Sequence, residues 1–246
     1  MAVTVENVTI VNAGRTASYT AAAGSNSLRM VLFVSFNETS STAATLNSAT
    51  FGGVSCTVLG VARSDNNSAN LGISYMLEED IPTGSQTYDP TWSSTGNHCN
   101  CFITLDGVDQ AGPFGTNQTD GNNGSTTQTQ LSNLSPAVGD LVMSLLQLTG
   151  AGRTITQPFD TSDINQDIAP DSTYGGASIC HETAAGTSVD AKHSWSSATS
   201  AAEWGLVIKP DGVAPSIPSG RMLMLGVGAG DISSHVLASK LDGVLT

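Results

Sequence analysis

The chain has 246 residues, enough for one large domain or two small ones that bury a core without disulfides or a metal. Charged residues make up only 12% of it and the formal net charge is −13, so uncharged polar residues must cover most of the surface. An acidic surface repels phosphate groups, which argues against nucleic acids and membrane surfaces as partners. The 39% of hydrophobic residues is too high for a disordered chain, and we predict a globular, β-rich protein.

The N-terminal sequence MAVTVENVTI has no basic region and no sustained apolar stretch, and it predicts no secretion signal. The densest apolar runs, at 30–36 and 141–148, are far shorter than the roughly 20 residues that cross a bilayer. We therefore expect no transmembrane segment.

Short apolar runs between clusters of Gly, Ser, Thr, Asn and Asp predict strands and turns rather than helices. The apolar alternation in residues 3–11 slips between Val5 and Val8, which predicts a β-bulge. The run at 30–36 predicts a strand buried on both faces, and the alternation at 98–108 predicts a half-buried strand. Further strands are predicted at 55–62, 71–77 and 202–208, a turn at Phe51-Gly52-Gly53, and a long polar connection at 116–132.

The second half of the sequence resembles the first. Residues 72–75 and 92–94 have counterparts at 176–179 and 195–197, about 103 residues later. We therefore predict an all-β fold, a jelly-roll-like antiparallel β-sandwich with two pseudo-repeated halves at about 28–115 and 138–210. Residues 1–27 are expected to form an N-terminal strand or arm.

After Pro210 the character of the sequence changes. Residues 211–220 carry two prolines and predict a linker. Residues 221–246 contain a short apolar patch and a predicted helix that begins after Asp231. This apolar tail should fold back onto the sandwich or dock on another protein. The candidate interface residues are Met222, Leu223, Met224, Leu225, Ile232, Val236, Leu237 and Leu241.

Four cysteines in a chain of this length do not resemble a disulfide framework. Cys99 and Cys101 lie on the same face of one strand, where a mutual bridge is awkward; with Cys56 and Cys180 we expect them to be buried thiols. Cys180 precedes His181, but strand neighbours point to opposite faces. We therefore expect a buried Cys180 and an exposed His181 rather than a nucleophile and its base.

Other candidates for chemistry are weak, and we predict no catalytic residue, no cofactor and no metal. Asp160, Asp163, Asp167 and Asp171 fall in one predicted loop and leave calcium as an alternative, although their spacing matches no EF-hand or calcium-binding repeat loop. Trp92 and Trp195 occupy equivalent places in the repeat and are predicted to pack in the core. If their rings were exposed, they could instead serve as a sugar-binding platform.

The order of the motifs resembles a known family. Thr50-Phe51-Gly52-Gly53 is followed by Tyr75-Met76-Leu77, Trp92-Ser93, the segment 107–115 (GVDQAGPFG) and finally Ile208-Lys209-Pro210. This order is similar to a jelly-roll-like β-sandwich module of virion structural proteins of tailed bacteriophages, which also occurs in some bacterial surface proteins. The resemblance spans about residues 28–210, and segments 107–115 and 208–210 are its most specific pieces. The tail departs from the module.

The resemblance implies a non-enzymatic virion protein, with a capsid decoration or cement protein as the first hypothesis. Its expected partners are the major capsid protein or another virion protein and further copies of itself, and its expected location is the particle surface after synthesis in the host cytoplasm. The proposed anchor is the apolar tail, with strand addition by residues 3–11 as a second possibility. The alternatives are a phage tail or fibre component and a carbohydrate-binding surface adhesin.

Overall fold

The computed structural model describes residues 2–11, 14–24, 28–94, 96–124, 127–150, 153–156, 159, 166–171 and 175–212, and of 166–171 only the backbone. Residues 213–220 of the predicted linker, the predicted helix, the eight candidate interface residues from Met222 to Leu241, and the candidate calcium ligands Asp160 and Asp163 lie outside the described residues.

Strands hold most of the described residues and are joined by loops, turns and one 3-10 turn at Glu78–Asp80. The strands are β1 Thr4–Val11, β2 Ala17–Thr20, β3 Met30–Glu38, β4 Leu46–Phe51, β5 Val54–Ser55, β6 Thr57–Arg63, β7 Ala69–Leu77, β8 Ser85–Trp92, β9 Asn97–Asp106, β10 Phe114–Asn123, β11 Leu131–Leu134, β12 Leu141–Leu148, β13 Ile155–Thr156, β14 Gln166–Asp171, β15 Gly175–Thr183, β16 Val189–Ala191, β17 Ser194–Trp195 and β18 Ser200–Ile208. The predicted all-β class is confirmed.

Two five-stranded antiparallel sheets form the centre of the molecule. The first sheet has the order β1-β9-β3-β7-β6 and the second β10-β18-β12-β15-β14. Their facing sides share one apolar core that includes Leu32 and Val34 of the first sheet and Met143, Leu145 and Trp204 of the second. The sheets therefore pack face to face, as in a β-sandwich.

Each central sheet is also covered on its outer face. The first cover is the four-stranded sheet β2-β8-β4-β5, which buries Phe33 and Phe102 of the first sheet under Tyr19, Phe51 and Tyr88. The second cover consists of two short ribbons, β11–β16 and β13–β17. It packs on the outer face of the second sheet through two further apolar clusters. The central strands β3, β12 and β18 are consequently buried on both faces.

Several local predictions are confirmed. The register of β1 against β9 shifts between Val5 and Asn7, where the bulge is expected. Residues 30–36 lie in a strand buried on both faces. Gly52 and Gly53 have φ of 60° and 81° and form the turn between β4 and β5, a conformation that favours glycine. The predicted strand 55–62 is interrupted at Cys56, where the chain passes from the first cover to the first sheet.

Three predictions about individual segments are wrong. Strand β9 is buried on both faces rather than half-buried, because the first cover lies on the side that carries Asn100 and Phe102. The predicted polar connection at 116–132 contains the ten-residue strand β10, which pairs with β18. As the edge strand of the second sheet, β10 leaves most of its side chains in water and does not need apolar residues. The predicted aspartate loop also ends in a strand, β14, which contains Asp167 and Asp171.

The two central sheets have the same strand order when their strands are matched in chain order, β1, β3, β6, β7 and β9 with β10, β12, β14, β15 and β18. The internal sequence repeat and the jelly-roll connectivity remain predictions. In the described part of the chain, no helix has the length and apolar character needed to cross a membrane.

Candidate functional site

The two most specific pieces of the sequence resemblance lie side by side in the structure. The backbone N–H of Asp109 donates to the carbonyl of Lys209 over 3.0 Å, and the N–H of Lys209 donates to the carbonyl of Pro113 over 2.8 Å. The N–H of Asp211 donates to the carbonyl of Gly107 over 2.8 Å. These bonds fix the last described residues to the segment that connects the two sheets. We call residues 107–115 and 208–211 the junction.

Gln110 and an ion pair brace the junction. The Gln110 Oε1 atom accepts from the N–H of Glu78 over 3.0 Å, and its Nε2 donates to the carbonyl of Val108 over 2.9 Å. Arg29 donates to both carboxylate oxygens of Glu78, from Nε over 2.7 Å and from Nη2 over 2.6 Å. These hydrogen bonds raise the pKa of Arg29 and lower the pKa of Glu78. The junction is therefore a rigid, hydrogen-bonded part of the surface.

The described part of the chain begins and ends beside the junction, at Ala2 and Gly212. A Cβ atom at Gly107, whose φ is +76°, would lie 2.6 Å from the carbonyl oxygen of Ala2, so the segment that leads into β1 runs beside it. A neighbouring surface pocket is lined by Leu77, Glu78, Glu79, Gln110 and Ala111. A partner that docks here would meet backbone, an amide and acidic groups.

Both tryptophans of the predicted repeat are buried. Trp92 is 9% exposed at the end of β8, and Trp195 is 4% exposed in β17. The indole N–H of Trp92 donates to the hydroxyl of Ser35 over 3.3 Å. The prediction that these rings pack in the core is confirmed. Neither ring offers an exposed face on which a sugar could stack. The carbohydrate-binding alternative therefore lacks the exposed tryptophan that it requires.

The four cysteines are buried thiols, as predicted. Burial raises the pKa of Cys56 to about 12 and holds the pKa of Cys101 well above its usual value. Since the thiolate is the reactive form, both are poor nucleophiles in the folded protein.

The prediction of an exposed His181 beside a buried Cys180 is wrong in its first part. His181 is only 5% exposed; its strand β15 lies inside the second sheet, and Ala2–Val5 and Leu141 line a pocket together with it. Cys180 meets a different histidine. The Cys180 Sγ atom lies 3.5 Å from Nε2 of His193, which comes from the link between β16 and β17.

His193 connects Cys180 to an acidic residue. The Nδ1 atom of His193 lies 2.7 Å from Oε1 of Glu203, and the hydroxyl of Ser144 donates to the same oxygen over 2.6 Å. All four side chains have no solvent exposure. We call Ser144, Cys180, His193 and Glu203 the buried cluster. It joins β12, β15 and β18 of the second sheet to the second cover.

Thiol, imidazole and carboxylate follow one another in the buried cluster as they do around a cysteine nucleophile, its base and the group that orients the base. In this conformation no substrate can reach the thiol, because the second cover closes over it. Sequence reasoning missed the cluster because its members lie on four separate segments with no common spacing. Glu203 could have revealed the cluster. It is a charged residue in a mainly apolar strand, and a buried carboxylate needs a hydrogen-bonding partner.

Among the residues whose side chains are described, no group of three histidine, cysteine or carboxylate side chains is placed to bind a metal ion. Comparisons with protein-family models, curated proteins and solved structures give no match to this chain.

Proposed function

We propose that this chain is a non-enzymatic structural protein of a tailed-phage virion, a decoration protein on the capsid surface. The observation that carries the proposal is the junction. The two sequence segments that most resemble virion modules, 107–115 and 208–210, are distant in the chain and are held together by backbone hydrogen bonds. A shared structural role would account for the resemblance of both segments to the same kind of module.

The surface chemistry supports an exposed position on a particle. The chain has 21 acidic residues against 8 basic ones, and the edge strand β10 exposes uncharged Thr, Asn and Gln side chains. Such a surface stays hydrated without binding the packaged DNA, since like charges repel. It also suits a protein present in many copies, because it presents few apolar atoms for unwanted contacts.

The proposed attachment uses the apolar tail. Residues 213–246 follow directly after the junction, and Met222–Leu225 provide four consecutive apolar side chains. Buried against a capsid subunit or a second copy, they would contribute association energy roughly in proportion to the apolar area removed from water. The edge strand β1, which pairs with β9 on one side, is the second candidate for attachment, by strand addition.

Particle fractionation tests the proposal. Virions of the phage that encodes the chain are purified and separated into heads and tails, and each fraction is analysed by quantitative mass spectrometry. We expect the protein in the head fraction, at a copy number comparable with that of the capsid subunits. Recovery in the tail fraction would favour the tail or fibre alternative, and absence from purified particles would overturn the proposal.

A pair of tail variants tests the attachment. In the first, Met222, Leu223, Met224 and Leu225 are all replaced by serine; in the matched control, the two methionines become leucine and the two leucines become methionine. We expect the serine variant to lose binding to undecorated capsids and the control to retain it. Equal binding of both variants would show that these four residues do not attach the protein to the capsid, and β1 would then be the remaining candidate.

A further inference from the structure

The two covers differ in how firmly their strands are paired. In the first cover, β2 pairs with β8 through four residue pairs and β4 pairs with β8 through five. Among the described residues of the second cover, each of the two ribbons contains two residue pairs. The Gln128–Ser194 bridge and backbone hydrogen bonds from Thr129 to His193, from Trp195 to Thr127 and from Ser196 to Thr154 add to these pairs. Because local opening involves the regions with the fewest backbone hydrogen bonds and apolar contacts, we expect the second cover to open before the first.

The apolar contacts also differ between the two covers. Under the first cover, Phe33 stacks on Tyr88 at a ring-centroid distance of 4.6 Å, and Tyr19 stacks on Phe102 at 4.9 Å. Under the second cover, Leu131 and Leu134 supply aliphatic contacts, and Phe159 and Trp195 are the described aromatic residues of its apolar clusters. Aromatic pairs add to the energy of simple area burial, and the described rings under the second cover form no stacked pair like those under the first.

The polar contacts of His193 compensate for this weakness. Its imidazole lies within 3.5 Å of Ser144 on β12, Cys180 on β15 and Glu203 on β18. The second carboxylate oxygen of Glu203, Oε2, is buried and has no hydrogen-bond partner. The stability of a buried carboxylate with one unpaired oxygen depends strongly on its remaining partners. We call His193 the latch, because its contact with Glu203 holds the second cover on the second sheet.

We propose that Cys180 is a masked modification site, which opening of the second cover exposes to small disulfides and related soft electrophiles. In the reaction, the Cys180 thiol loses its proton and the sulfur attacks one sulfur of the disulfide. The disulfide bond breaks, a mixed disulfide forms on Cys180, the other sulfur leaves as a thiolate, and the proton passes to water. The added group finds no space beneath the closed cover, where the four side chains of the buried cluster are fully enclosed. Modification therefore keeps the cover open.

The test compares two fully buried cysteines in one folded protein. Cys101 lies in the core between the two central sheets, so it reports separation of the whole sandwich, whereas Cys180 reports opening of the second cover. The full chain is incubated with an aromatic disulfide that releases a coloured thiolate, and the labelled residues are located by mass spectrometry. We expect Cys180 to react at least about tenfold faster than Cys101. Equal rates would overturn the proposal, because Cys180 would then be reached only by global unfolding.

Glu203→Gln tests the latch and Glu78→Gln is its matched control, since Glu78 forms the ion pair with Arg29 on the first sheet. We expect Glu203→Gln to raise the labelling rate of Cys180 about tenfold and to leave that of Cys101 unchanged. Glu78→Gln should leave the Cys180 rate unchanged. Equal effects of the two variants on the Cys180 labelling rate would show that the contact between His193 and Glu203 does not hold the second cover closed.

Hydrogen exchange of the wild-type protein gives a readout that does not depend on the stability of any variant. The amides of β11 and β16 should exchange faster than those of β2 and β8. Slower exchange in the second cover than in the first would contradict the proposal.

Discussion

The Glu203 carboxylate and the His193 imidazole lie 2.7 Å apart, and neither side chain is exposed to solvent. Glu203 belongs to a central strand and His193 to the cover above it, so this one contact joins two layers of the molecule. Removal of one member of such a pair leaves the other buried without its partner, which costs more than the pair itself contributes.

Glu203→Ala should therefore lower the free energy of unfolding by about 3 kcal/mol. Glu79→Ala is the control, because Glu79 is exposed on the 3-10 turn, and it should change the value by less than about 0.5 kcal/mol. Urea denaturation followed by tryptophan fluorescence measures both. A loss for Glu203→Ala no larger than that for Glu79→Ala would mean that the pair does not join the layers.

Gly205→Ala should destabilise the protein by about 1–3 kcal/mol through crowding. A Cβ atom on Gly205 would lie 2.7 Å from Cδ1 of Leu131 and 2.9 Å from Cδ1 of Leu134, so the methyl group would push β11 away from the second sheet. Gly186→Ala is the matched control, since nothing lies within 4 Å of a Cβ atom there. The melting temperatures of the two variants should differ clearly. Similar melting temperatures would show that β11 does not pack against Gly205.

The ion pair between Arg29 and Glu78 should make stability depend on pH. Since Arg29 lowers the pKa of Glu78 in the folded state, the contribution is present where the unfolded carboxyl group is ionised, above about pH 5. It is lost as the pH falls through the lowered pKa of the folded state. The stability difference between wild type and Glu78→Gln, measured by urea denaturation from neutral to acidic pH, should shrink accordingly. A difference that stays constant over this range would contradict the assignment.

Tryptophan fluorescence should report three buried rings, because Trp92, Trp195 and Trp204 are all 9% exposed or less. We expect blue-shifted emission that acrylamide quenches weakly in the folded protein and strongly after unfolding. Soluble oligosaccharides should leave the emission unchanged. A sugar-dependent shift that disappears in Trp92→Phe or Trp195→Phe would revive the adhesin alternative.

The sequence predicted the strands with strong apolar patterns, as at β3, where continuous burial follows from a continuous apolar run. It failed at β10, because an edge strand obtains its hydrogen bonds from β18 and needs no apolar side chains. It also failed for one face of β9, because the presence of a cover over Asn100 depends on contacts between distant segments. The buried cluster could not be derived from spacing, since Cys180, His193 and Glu203 meet only through the pairing of strands. The predicted anchor lies in residues 221–246, beyond the described part of the chain.

The arrangement of the layers has a consequence for how the protein is made. Strands β1 to β9 build the first sheet and its cover, and strands β10 to β18 build the second sheet and its cover. The chain passes between the two halves once, through residues 107–113. During synthesis the first half emerges before the second sheet, so its core face, with Leu32 and Val34, is uncovered until strands of the second sheet are made. The halves are therefore natural fragments, and a cut in the loop at 111–112 should leave two chains that recombine through this face.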